Sequence, residues 1–76
     1  MNLRKGDMLI QAENPAIIGL LLKRKNNKWE YLLTSPGTAD HNLNKMVSSM
    51  QKASRDSIIN AYLNGNIRIV RKGVDL

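Results

Sequence analysis

A chain of 76 residues has room for a single domain built on one small core, and a domain of that size buries only about 60% of its unfolded surface, so its stability is thin. It contains no cysteine and one histidine, His41, which excludes disulfides and cysteine-based zinc sites and leaves stability to packing. Twelve Lys and Arg against six Asp and Glu give a net charge of +6, a balance that serves solubility and also draws a chain towards nucleic acid, an acidic membrane face or an acidic protein.

The amino-terminal stretch Met1–Asp7 carries Arg4 and Lys5 but is followed by no apolar h-region. A secretory signal peptide is therefore not expected, and a cytoplasmic location is. The longest apolar run, Ile17–Leu22, contains Gly19 and is far too short to span a bilayer. Gly6-Asp7 is a turn signal that leads into a first strand over residues 8–12. Glu13-Asn14-Pro15 breaks it, because proline cannot donate to a ladder. A second strand, rich in Ile and Leu, covers 16–24. Asn26-Asn27 forms a two-residue turn, since Asn tolerates positive φ, and a third strand runs over 28–34. Placing Asn26 and Asn27 at the tip sets Lys25 opposite Lys28, Arg24 opposite Trp29 and Lys23 opposite Glu30. Leu22, Leu21 and Leu20 then face Tyr31, Leu32 and Leu33. Cross-strand pairs of this kind contribute roughly 0.2–1 kcal/mol each.

The pattern changes after Pro36-Gly37. Asp40 is placed to cap a helix, and Leu43, Met46, Val47 and Met50 fall at the i, i+3, i+4, i+7 spacing of one helical face. Ser54 is placed to cap a second helix, with Asp56 in its first turn. Ile58, Ile59, Tyr62 and Leu63 supply its apolar contacts, and Asn64-Gly65 is its stop. The same periodicity also fits one long helix over 43–63. Ile67–Arg71 reads as the last strand. No linker or repeat divides the chain, so residues 1–76 are expected to form a single domain.

Three features of residues 5–33 resemble the opening of a KOW-type SH3-like barrel module. They are Lys5-Gly6-Asp7-Met8 at the entry, Ala16-Ile17-Ile18-Gly19-Leu20-Leu21-Leu22 in the second strand, and the tight turn leading to Trp29-Glu30-Tyr31-Leu32-Leu33. Such modules occur in ribosomal proteins and transcription elongation factors, and many small phage-encoded proteins resemble them. In this light Gly19 serves a strand bend or a close backbone approach. The resemblance implies an α+β fold: a small SH3-like curved antiparallel sheet of about four strands, with one or two helices packed between the third and last strands. It also implies a habit of binding RNA or a nucleoprotein machine such as a polymerase or ribosome.

For catalysis the chain offers little. Asp40 and His41 are sequence neighbours at an expected helix start, and no nucleophile elbow or oxyanion motif accompanies the serines. The glycines are too scattered for a phosphate loop, and the acids form no metal cluster. We therefore expect no enzyme activity, no cofactor and no metal. The basic residues are more informative. Lys23, Arg24, Lys25 and Lys28 converge on the hairpin tip, Arg68, Arg71 and Lys72 gather at the last strand, and Arg4 and Lys5 precede the first. If these groups share one face they form a phosphate-binding stripe, with Trp29 or Tyr31 available for base stacking. The alternative is a solvated tip and an edge strand guarded by charge. Lys45, Lys52 and Arg55 are too few and scattered for a membrane-binding helix, so no membrane partner is expected. A different reading makes the chain a phage-encoded protein–protein adaptor or inhibitor of a host protein, acting through an edge strand or the Met46/Met50 face. A third makes it a self-associating structural subunit.

Overall fold

The computed structural model describes residues 1–36 and 46–76. Six strands form one open antiparallel sheet: β1 (Met8–Gln11), β2 (Ile18–Lys25), β3 (Lys28–Pro36), β4 (Met46–Ser54), β5 (Ile67–Arg71) and β6 (Val74–Asp75). Their spatial order is β4-β3-β2-β1-β5-β6. A single helix among the described residues, α1 (Arg55–Leu63), joins β4 to β5. The described residues are thus mostly β, with six strands and one helix where about four strands and one or two helices were expected, and the sheet they form does not close.

The hairpin of β2 and β3 turns at Asn26 and Asn27, with φ of 53° and 64°, the positive values that a type I′ turn demands. Lys25/Lys28, Arg24/Trp29 and Lys23/Glu30 pair as expected. Beyond them the register departs from expectation by one residue. Leu22 is bulged out, and Leu21, Leu20 and Gly19 pair with Tyr31, Leu32 and Leu33. The run Ile18–Leu22 has no polar–apolar alternation, so only packing chooses which leucine faces inward. The bulge turns Leu21 to the core, where it is fully buried. It also lays Gly19 beneath the Tyr31 ring. A Cβ at position 19 would lie 2.9 Å from Tyr31 Cδ2 and 3.7 Å from Leu9 Cβ. Gly19→Val is accordingly expected to destabilise the fold by about 1–3 kcal/mol through overpacking. A lowered urea midpoint would register it, and an unchanged midpoint would mean that the ring moves aside freely.

Residues 46–54 are a strand, not the helix that the spacing of Met46, Val47 and Met50 suggests. The expectations of a separate first helix and of one long helix over 43–63 both fail here, while Asp40, His41 and Leu43 lie outside the described residues. Four apolar positions, Leu43, Met46, Val47 and Met50, make too short a window to fix a period. Ser48 and Ser49 are poor helix formers, and β3 needs a partner for its second edge. β4 pairs with β3 along its whole length, from Lys28/Ser54 to Pro36/Met46. Ser54 ends the strand and caps α1, its hydroxyl accepting from the Ser57 N–H at 3.1 Å. Asp56 lies in the first turn and Asn64 is the carboxyl-terminal cap, as the sequence suggests.

One face of the sheet carries the core. Leu9, Leu21, Trp29 and Ile69 pack with Ile58 of α1 and with Leu3 of the amino-terminal segment. Residues opposite one another in an antiparallel ladder share a face, so the register places Val70, Met8, Leu20, Leu32 and Met50 in one apolar row across the other face. The chain then closes with a hairpin that sequence inspection missed. Lys72 and Gly73, both at positive φ, turn β5 into β6, and the Tyr62 hydroxyl donates to the Leu76 carbonyl at 2.5 Å.

Candidate basic interface

Two turns far apart in sequence meet beside the hairpin. The first covers Arg4–Asp7: the Asp7 N–H donates to the Arg4 carbonyl at 3.0 Å, and the Arg4 N–H donates to Asp7 Oδ2 at 2.9 Å. Gly6, at φ 91°, donates its N–H to the Leu21 carbonyl at 2.8 Å, which fixes this turn against β2. The second is Lys72-Gly73. Met8 pairs with both Leu20 and Val70, so the residues just before Met8 lie level with the end of β5 and with the root of the hairpin. Lys52 stands opposite Glu30, and Lys28 opposite Ser54, which brings Lys52 and Arg55 to the same end. The strand order therefore collects every described Lys and Arg except Arg68 at one end of the sheet.

The charges there are unevenly committed. Lys23 and Lys52 share the Glu30 carboxylate at 3.7 and 3.9 Å. Arg55 lies 3.5 Å from Asp56 and donates to the Met1 carbonyl at 2.6 Å. Arg24 donates to Asn27 Oδ1 at 3.4 Å. Arg4, Lys5, Lys25, Lys28 and Lys72 have no acidic partner within ion-pair distance among the described residues. Two open depressions are set into this end. One, about 590 Å³, is lined by Arg4, Lys5, Arg71 and Lys72 together with Asp7, Val74 and Leu76. The other, about 330 Å³, is lined by Lys25, Asn26, Lys28, Glu30 and Lys52.

Four of the residues expected to contact a ligand are otherwise engaged. Trp29 is only 7% exposed and sits in the core, so it presents no ring for base stacking. Tyr31, half-buried over Gly19, is no better placed. Arg71 is turned inward: its Nε and Nη2 donate to the two carboxylate oxygens of Asp7, each at 2.8 Å, and Nη2 also reaches the Asn2 carbonyl at 2.8 Å. Asp7 is 1% exposed, and the Arg71 hydrogen bonds hold its carboxyl below the ordinary 3.8, outweighing the opposing effect of burial. Arg68 pairs with Ile10 on β1, away from the basic end, and its guanidinium makes a fork with Asp75 at 3.0 Å. Lys23, Arg24, Lys25, Lys28 and Lys72 do come together. Arg4 and Lys5 join them, as do Lys52 and Arg55, which sequence reasoning had assigned to helix.

Elsewhere the described residues offer little chemistry. No group of three His, Cys, Asp or Glu among them is placed to hold a metal ion. An apolar groove of about 200 Å³ between α1 and the sheet is lined by Leu9, Ile17, Gly19, Leu33 and Ile58, among others, with no acid, base or histidine in its wall. No described helix is long and apolar enough to cross a membrane. Comparison with known protein families, with curated proteins and with solved structures finds no match to this chain.

Proposed function

We propose that the chain is a nucleic-acid-binding module that holds a phosphate backbone, free or within a nucleoprotein assembly, across this basic end. The observation that carries the reading is the convergence of three basic turns from separate parts of the chain, with Lys5, Lys25, Lys28 and Lys72 unpaired by acids among the described residues. Unpaired lysines spread along one end suit a row of phosphates, because each neutralised phosphate releases condensed counterions. The resemblance of residues 5–33 to a KOW-type module points the same way. Since the described end offers no exposed aromatic ring, recognition rests on charge rather than on base identity.

Anisotropy of labelled oligonucleotides tests this. If about five phosphates are neutralised, the logarithm of affinity falls against the logarithm of salt with a slope of about −4.5, which is about 500-fold between 50 and 200 mM. Duplexes of unrelated sequence bind alike. A flat salt response would end the reading, because an apolar docking surface, not phosphate, would then be holding the ligand.

A further inference from the structure

The two edges of the sheet are guarded very differently. β6 has two residues, short enough to blunt its edge. β4 has nine and, among the described residues, pairs with β3 alone. It contains no proline and one charge, Lys52. Met46, Val47 and Met50 on it are 49%, 50% and 55% exposed. A long, weakly charged edge with exposed apolar side chains is a template for another strand, since its outward N–H and C=O groups are unpaired.

We infer that β4 is the pairing edge for a second copy of this chain, joined antiparallel about a twofold axis through Met50. The register of β4 against itself is what selects this occupant. With Met50 opposite its counterpart, Ser49 faces Gln51, Ser48 faces Lys52, Val47 faces Ala53 and Met46 faces Ser54, so all nine residues of the strand find a partner. No like charges stand opposite one another, and Met50 and Val47 meet apolar neighbours. A twofold perpendicular to the sheet leaves each face continuous. The apolar row from Val70 through Met8, Leu20 and Leu32 to Met50 then runs on into the other copy. Antiparallel pairing also sends the two basic ends to opposite ends of the joined sheet, which keeps the two sets of positive charge apart. An acidic partner strand would find one lysine to answer its charges, whereas the strand complements itself along its full length.

Sedimentation equilibrium of the full chain from about 1 to about 500 µM is the first test, a span that brackets ordinary weak and moderate dimers. The expected result is a concentration-dependent approach to twice the 8.6 kDa monomer mass. Met50→Lys places two ammonium groups across the axis and is expected to weaken association at least tenfold. A wild-type monomer throughout, or a folded Met50→Lys that associates as well as wild type, would overturn the inference. The chain has no cysteine of its own, so single cysteines give a second, independent reading. In Met50→Cys the paired Cα atoms lie within disulfide reach, whereas two copies of Ser48→Cys are offset by about 13 Å along the strands and cannot bridge. Mild oxidation is expected to give a covalent dimer for Met50→Cys and none for Ser48→Cys. Equal yields at both positions would sink the twofold even if Met50→Lys fails to fold.

Discussion

Asp7→Ala is expected to remove a large share of the chain's folding stability. The carboxylate is buried and accepts from Arg71 Nε, Arg71 Nη2 and the Arg4 N–H. Its removal strands a half-buried guanidinium and opens the turn that fixes the amino terminus to β1. Breaking one partner of a buried pair costs about 3–5 kcal/mol, against a total stability on the order of 4–11 kcal/mol for a chain of this length. The melting temperature should drop by at least ~12 °C, and circular dichroism would record it. A loss of a few degrees would mean that water replaces the carboxylate at little cost. The pH dependence has a definite sign. The folded carboxyl titrates below its ordinary 3.8, because of Arg71 first and the Arg4 N–H next, with burial opposing. The stabilisation is therefore fully present above about pH 4 and is lost as the pH falls through the folded value. In Asp7→Asn, which keeps the shape but not the charge, the stability deficit relative to wild type should shrink below pH 4. A deficit constant from pH 7 to pH 2 would remove the ion pair as its cause.

Replacing Lys23, Arg24, Lys25 and Lys28 together with serine is expected to weaken oligonucleotide binding about 100-fold or more at low salt. The salt slope should become shallower by up to about four, roughly one for each phosphate no longer neutralised. All four residues are exposed and flank a turn whose geometry belongs to Asn26 and Asn27, so the fold should survive. Arg68→Ser is the matched control: that residue sits away from the basic end beside Asp75, and its removal should leave affinity within about twofold, since it touches no phosphate. Loss of binding in the control but not in the hairpin variant would move the interface to the other end of the sheet.

The hairpin, the helix cap at Ser54 and the helix stop at Asn64-Gly65 were legible because each depends on a few adjacent residues whose backbone preferences are local. The bulge at Leu22 was not. A run of five apolar residues looks the same in either register, and only the fit of Leu21 into the core and of Tyr31 over Gly19 chooses between them. β4 was misread for a related reason. Met46, Val47 and Met50 satisfy a helical period, but the open edge of β3 decides the conformation by pairing, which no local window contains.

Charge follows the same division. The excess of Lys and Arg and its clustering at the hairpin tip are properties of the sequence alone, as is the absence of cysteine. Which charges are free is a property of the tertiary structure. Arg71 and Lys72 are neighbours in the chain, yet strand pairing turns one towards Asp7, buried 64 positions away, and leaves the other at the surface in a positive-φ turn. Trp29 belongs to the same class of question: its ring is apolar enough for a core and flat enough for a base, and only the helix packed over the sheet settles that it is core. A small basic chain with a tight hairpin and a capped helix can be read from local residue preferences alone. The strand order decided which basic residues gather at one end and which are consumed in holding it together, because burial and pairing act between residues that the chain keeps far apart.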